Sequence, residues 1–145
     1  MIRDVMAGAV RGMVASVAMS VPVLLAPDAV MGRRPPKKVA VGILDRLGLD
    51  PGGEGERNLV SALGHLGFGA GMGALFSAAR SQLHPPGPAV VHGLAYGLGV
   101  WAMSYRGWIP ALGILPPPER DRPGRQGVMI FAHLVYGGVL GALER

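Results

Sequence analysis

The sequence predicts an all-α fold, an integral membrane four-helix bundle. Half of the 145 residues are hydrophobic and only 16% are charged, against about 25% in soluble domains. Four apolar stretches of about 17–22 residues stand between polar breaks, close to the ~20 that cross a hydrocarbon core at 1.5 Å per residue. None of the four contains an acidic residue. A helix is the state that satisfies its own backbone in lipid, and four such stretches are too few to close a barrel.

The first stretch runs over about Val5–Ala26, broken only by Arg11 and Pro22. It exceeds the ~7–15 apolar residues of a signal peptide, so a retained helix is expected. The second covers about Leu59–Ala79, with His65 as its one ionisable group. The breaker His84-Pro85-Pro86-Gly87-Pro88 precedes the third, about Ala89–Tyr105, and the fourth covers about Gly127–Leu143. Together they make a single transmembrane domain over residues 1–145.

The loop 27–58 opens with Arg33, Arg34, Lys37 and Lys38. Val39, Ile43, Leu44 and Leu47 then recur near helical spacing, which predicts a short helix at about Lys37–Leu47. Two placements compete for it. It lies on the bilayer with its basic residues against anionic head groups, or it packs on the bundle. The apolar half of the loop 106–126 is too short to cross, so it is expected in the interface, with Tyr105 and Trp108 in an aromatic belt.

The net charge is +5, but the basic residues lie scattered between apolar stretches and form no phosphate-binding face. Nucleic acid is therefore not an expected partner. Loops 27–58 and 106–126 carry ten Lys and Arg against four on the other side, Arg11 included. The positive-inside rule puts those loops in the cytoplasm and both termini outside. Cysteine is absent, which removes disulfides and thiolate chemistry.

Two stretches share a pattern. His65-Leu66-Gly67-Phe68-Gly69 continues to Gly73-Ala74-Leu75, and His133-Leu134-Val135-Tyr136-Gly137 continues to Gly141-Ala142-Leu143. The shared form is H-L-x-aromatic-G-x-x-x-G-A-L. A weaker likeness joins Ala18-Met19-Ser20 to Ala102-Met103-Ser104. Two parallel pseudo-repeated helix pairs are expected, related by an axis along the membrane normal. Glycines four apart occur in every stretch: Gly8 and Gly12, Gly67 and Gly71, Gly69 and Gly73, Gly93 and Gly97, Gly137 and Gly141. Such pairs let helix backbones approach within the bundle or between protomers.

His65 and His133 are the foremost candidate site residues. Each precedes a glycine by four and another by eight, so all three share one helix face. Intramembrane ionisable residues suggest function by default. Each histidine either bonds a neighbouring helix, or lines a proton or solute path, or ligates a metal or b-type haem. His92 and Arg11 lie towards the other end. Arg11 either snorkels to the surface or faces inward near His92. No phosphate loop, zinc motif or nucleophile elbow occurs, so neither an enzyme nor a dedicated metal site is expected.

The stretch from Ala7-Gly8-Ala9-Val10-Arg11-Gly12 to Ala18-Met19-Ser20, with the helix at His133-Leu134-Val135-Tyr136-Gly137, resembles small bacterial inner-membrane proteins of unknown function, the YagU-like proteins. The resemblance implies four helices in a bacterial cytoplasmic membrane and carries over no catalytic residue. The loop 27–58 is longer and more basic than theirs. The function expected is an accessory or structural one, by glycine-mediated packing with itself or a larger membrane complex. A small transporter using the paired histidines and a haem or metal binder are the alternatives.

Overall fold

The computed structural model describes residues 2–32, 35–50 and 52–144, and for Pro35 and Pro36 the backbone only. Arg33, Arg34 and Arg145 lie outside the described residues. Among those described there is no strand. The helices are α1 (Ile2–Leu25), α2 (Asp28–Met31), α3 (Pro35–Arg46), α4 (Glu54–Leu83), α5 (Ala89–Trp101), α6 (Ile109–Ala111) and α7 (Arg125–Leu143). The helices α1, α4 and α7 are each long and apolar enough to cross a bilayer.

Two boundaries differ from expectation for local reasons. Helix α4 begins at Glu54, because Glu56 reaches back to the Gly53 N–H at 2.7 Å and caps the first turn ahead of the apolar run. The third apolar stretch is α-helical for only 13 residues. It then widens into π-helical turns over Ala102–Trp108, with a kink at Gly107. Extra backbone inserted into a turn rotates the residues beyond it about the helix axis, and Ser104 and Tyr105 become buried.

Helix α1 packs along α4, and α5 packs along α7. Both seams are backbone against backbone. A Cβ added to Gly12 would lie 2.1 Å from the Gly69 carbonyl oxygen, and one on Gly73 would lie 2.3 Å from that of Gly8. In the second seam a Cβ on Gly137 would meet the Gly93 oxygen at 2.0 Å, and one on Gly97 the His133 oxygen at 2.2 Å. Any side chain there would hold the helices apart.

The two seamed pairs join unequally. Helices α1 and α7 share an extensive contact, whereas α4 and α5 barely touch. Tyrosines bridge instead. Tyr136 donates to the Gly69 carbonyl at 2.8 Å, and Tyr96 donates to the Met72 carbonyl at 2.8 Å. The Phe76 and Tyr96 rings meet at 5.1 Å. These bonds need carbonyls whose intrahelical bonding leaves a lone pair exposed, which the bare surface near Gly69 supplies.

Gly67 and Gly71 have open space at their Cβ positions and take part in no intrachain seam. They sit on the opposite side of α4 from Gly69 and Gly73, so of the two uses expected for glycine pairs theirs is not the one within the bundle. Other expectations are corrected. Arg11 neither snorkels free nor faces His92. Its guanidinium donates to Glu144 at 2.8 Å, and Ser77 donates to the same carboxylate at 2.8 Å. Glu144 flanks α7 in sequence but turns inward to meet this charge. His92 instead contacts Arg80. The short loop helix α3 packs on α4, and Lys37 is paired with Glu54. Trp108, expected in the interface, is half-buried, and its ring faces Phe68 at 6.4 Å. Ile109 and Leu115 beyond it are buried in the core.

A matched pair of substitutions tests the seams. Gly12→Ala and Gly137→Ala should each cost about 1–3 kcal/mol by forcing backbones apart. Gly71→Ala meets nothing and should be neutral or gain up to about 1 kcal/mol of helix propensity. Thermal unfolding in detergent, followed by circular dichroism, separates the two classes; equal melting for all three would contradict the seams.

Candidate functional site

The gap left between α4 and α5 continues into a cavity of about 290 Å³. It lies at the end that carries the 27–58 and 106–126 connections. Helix α1 contributes Ser16, Met19 and Ser20; α4 contributes His65, Phe68 and Met72; α7 contributes Met129, His133 and Tyr136. Val39 and Ile43 of α3 form one wall, and Ser104, Tyr105 and Trp108 of the widened segment form another. No lining residue carries a formal charge at neutral pH apart from what its two histidines could acquire.

His65 and His133 therefore line one cavity, although they come from different seamed pairs. The physical reason is register. His65 sits one turn before Gly69, and His133 one turn before Gly137, so each shares the glycine face of its helix. His133 Nδ1 is 2.7 Å from the Met129 carbonyl oxygen. A carbonyl only accepts, so Nδ1 carries the proton and Nε2 is a bare acceptor. His65 Nε2 lies 3.4 Å from the Ser16 carbonyl oxygen. The Ser20 hydroxyl already donates to that oxygen at 2.9 Å. The same hydroxyl lies 3.4 Å from His65 Nε2 with its proton already given to the Ser16 carbonyl, so both neighbours of Nε2 call for a proton there, which leaves Nδ1 bare.

Two more polar atoms at the cavity are unspent. The hydroxyls of Ser16 and Ser104 are buried and have no hydrogen-bond partner. Buried hydroxyls are nearly always satisfied, so an orphaned pair beside a cavity is informative. Helix-contact spacing could have flagged Ser16 and Ser20, because Gly8, Gly12, Ser16 and Ser20 form one ladder of small residues at intervals of four. Tyr136 was visible inside the shared pattern as its aromatic position. Ser104 and Tyr105 carried no signal, since only the π-helical turns aim them inward.

The remaining candidates lie elsewhere. Arg11 and His92 belong to polar contacts at the opposite end, and neither lines the cavity. Lys37 and Lys38 border a separate polar groove with Arg46 and Arg57. Among the described residues no cluster of three His, Asp or Glu could hold a metal.

Beneath the cavity lies an ion pair that charge counting placed among the loop cations. Arg125 is 1% exposed. It donates to Asp121 at 2.6 Å and to the Met31 carbonyl at 2.6 Å. Tyr105, a cavity wall, donates to the second Asp121 oxygen. This clamp ties the 106–126 connection to α2. Burial pushes the Asp121 carboxyl up, but hydrogen bonds from Tyr105, the Arg122 N–H and Arg125, with the charge of Arg125, outweigh it and hold it below its usual 3.8.

Breaking this pair leaves a buried cation alone, so Asp121→Ala should cost about 3–5 kcal/mol. The pH dependence has a fixed sign. Because the folded-state value is lowered, the carboxylate stabilises fully above its unfolded value and loses that contribution as pH falls through the folded one. Melting temperature should therefore drop on acidification below about pH 4. Asp121→Asn should melt lower at neutral pH and lack this acid-dependent component; an unchanged acid profile would contradict the clamp.

No curated protein and no solved structure matches the chain. One family model does, over residues 2–145. The chain belongs to that family, which is described as a family of unknown function, DUF6789.

Proposed function

We propose that the protein is a four-helix integral membrane protein of a bacterial cytoplasmic membrane that holds a small lipid-soluble molecule in the cavity between its two helix pairs. The observation that carries this reading is that His65 and His133 meet at one uncharged cavity of about 290 Å³. It lies at the floor of the ~300–1,000 Å³ range of small-molecule pockets. That suits a one- or two-ring molecule rather than a tetrapyrrole. It is about twice the ~150 Å³ apolar cavity known to admit benzene.

The membrane placement is supported by α1, α4 and α7, with α5 and its π-helical extension as the fourth crossing. Large apolar side chains such as Val10, Val17, Leu24, Leu63 and Leu75 point outward, where lipid would cover them. Orientation is set by the basic loops, which puts the cavity in the cytoplasmic half. The two seams support two parallel repeats: Gly12 meets Gly69 and Gly73 as Gly93 meets Gly137 and Gly141, so that Gly8, Gly12 and Ser16 correspond to Ala89, Gly93 and Gly97. That register differs from the one suggested by Ala18-Met19-Ser20.

An accessory role fits better than conduction. A proton or ion path needs a polar or hydrated wall, and the wall here is mostly Met, Val, Ile and aromatic side chains. Glycine pairs that could serve oligomers are occupied within the chain, save Gly67 and Gly71.

The test fills the cavity. Gly64 lines it, and a Cβ there meets nothing within 4 Å. Wild-type protein in lipid nanodiscs should bind naphthalene saturably in equilibrium dialysis, with empty nanodiscs as the reference. Gly64→Phe should weaken binding at least tenfold while leaving the melting temperature near wild type. Binding no greater than lipid partitioning would overturn the reading.

A further inference from the structure

The polar atoms at the cavity specify more than an apolar guest. Two imidazoles each present a bare nitrogen, since His133 Nδ1 and His65 Nε2 are turned to backbone carbonyls. A bare imidazole nitrogen accepts a hydrogen bond and does not donate. Beside them the Ser104 hydroxyl, on a residue 5% exposed, has no partner. It can donate and accept. The full set is thus two acceptors and one dual group in an uncharged, aromatic-walled space; the other orphaned hydroxyl, that of Ser16, is turned into the seam against Gly69. A pure hydrocarbon would leave all three unsatisfied, at a cost of roughly 1–3 kcal/mol for each buried group. A carboxylate or ammonium would be desolvated with no opposite charge to meet it. A carbonyl or ether can only accept, so it leaves both imidazole nitrogens unanswered. A hydroxyl answers both kinds of group at once.

On this basis we propose that the cavity is a site for an uncharged, lipid-soluble ring compound bearing a hydroxyl group, of the phenol or hydroquinone class. The hydroxyl donates to a bare nitrogen of His65 or His133 and accepts from the Ser104 hydroxyl. The ring lies against Phe68, Trp108 and Tyr136, which line the same space. The backbone bonds of both histidines fix their tautomers, so the acceptors are present before the guest arrives and little ordering cost remains. This inference rests on the cavity-binding reading above and adds the chemical class.

Three naphthalene probes test it with the full-length protein in lipid nanodiscs, by equilibrium dialysis against empty nanodiscs. They are 2-naphthol, its methyl ether and 2-naphthoate. The naphthol should bind at least tenfold more tightly than the ether, and the naphthoate more weakly than both. The double variant His65→Phe with His133→Phe keeps ring volume but removes both acceptors. It should bind the ether as wild type does and lose the preference for the naphthol. Ser104→Ala deletes an unpartnered hydroxyl with little risk to folding and should reduce that preference severalfold. Equal affinity for naphthol and ether in the wild type overturns the inference while leaving the cavity-binding reading intact. So does a preference that survives the double variant. Failure of naphthalene and every probe to bind overturns the underlying reading instead.

Discussion

Backbone contact at the two glycine seams is the constraint on which the rest of the molecule depends. At Gly12 against Gly69, and at Gly93 against Gly137, the helices approach so closely that a single Cβ has no room. In a bilayer the hydrophobic effect does not drive helices together, and close van der Waals packing takes over. Contact this tight also sets rotation about each helix axis, because only the glycine face can reach the seam. Once rotation is set, His65 and His133 have no choice of direction: they lie one turn from Gly69 and Gly137, on the same faces.

The second consequence is the cavity. Two seamed pairs that also met each other along both flanks would leave no space. Here α1 meets α7, while α4 and α5 are kept apart, and tyrosines tie α4 across to the other pair, Tyr96 from α5 and Tyr136 from α7. A hydroxyl at the end of an aromatic ring reaches farther than an aliphatic side chain, so Tyr96 and Tyr136 span a gap that packing would otherwise close. The π-helical turns of Ala102–Trp108 then bring Ser104, Tyr105 and Trp108 to its edge. Both devices serve the same end, a space kept open by rigid elements rather than by a mobile loop.

The third consequence concerns charge. Arg11 with Glu144, and Arg125 with Asp121 and the Met31 carbonyl, tie together segments distant in the chain at opposite ends of the helices. Each pair removes a charge that counting along the sequence assigns to a loop or to the surface. A buried charge is tolerated only with a partner and further hydrogen bonds. Arg125 has these from Asp121 and Met31, and Arg11 has Glu144 with Ser77 beside it. The cavity between these two ends is left uncharged.

The all-α class, the places of the long apolar helices though not all their limits, the short helix near Lys37–Leu47 and the importance of glycines at intervals of four were legible in the sequence. Each rests on a local rule: apolar length, helical spacing, or the absence of a side chain. The shared face of His65 with Gly69 and of His133 with Gly137 was legible for the same reason. Only the tertiary structure decided which surfaces meet. Gly67 and Gly71 have the same spacing as Gly69 and Gly73, yet one pair is open and the other is packed, because rotation of α4 is chosen by α1 and not by α4 itself. Arg125 looks like a loop residue until the folded connection 106–126 and α2 bury it. The two histidines stand on helices far apart in the chain. Their common cavity arises from the uneven joining of two helix pairs, a long-range balance of packing that no local spacing encodes.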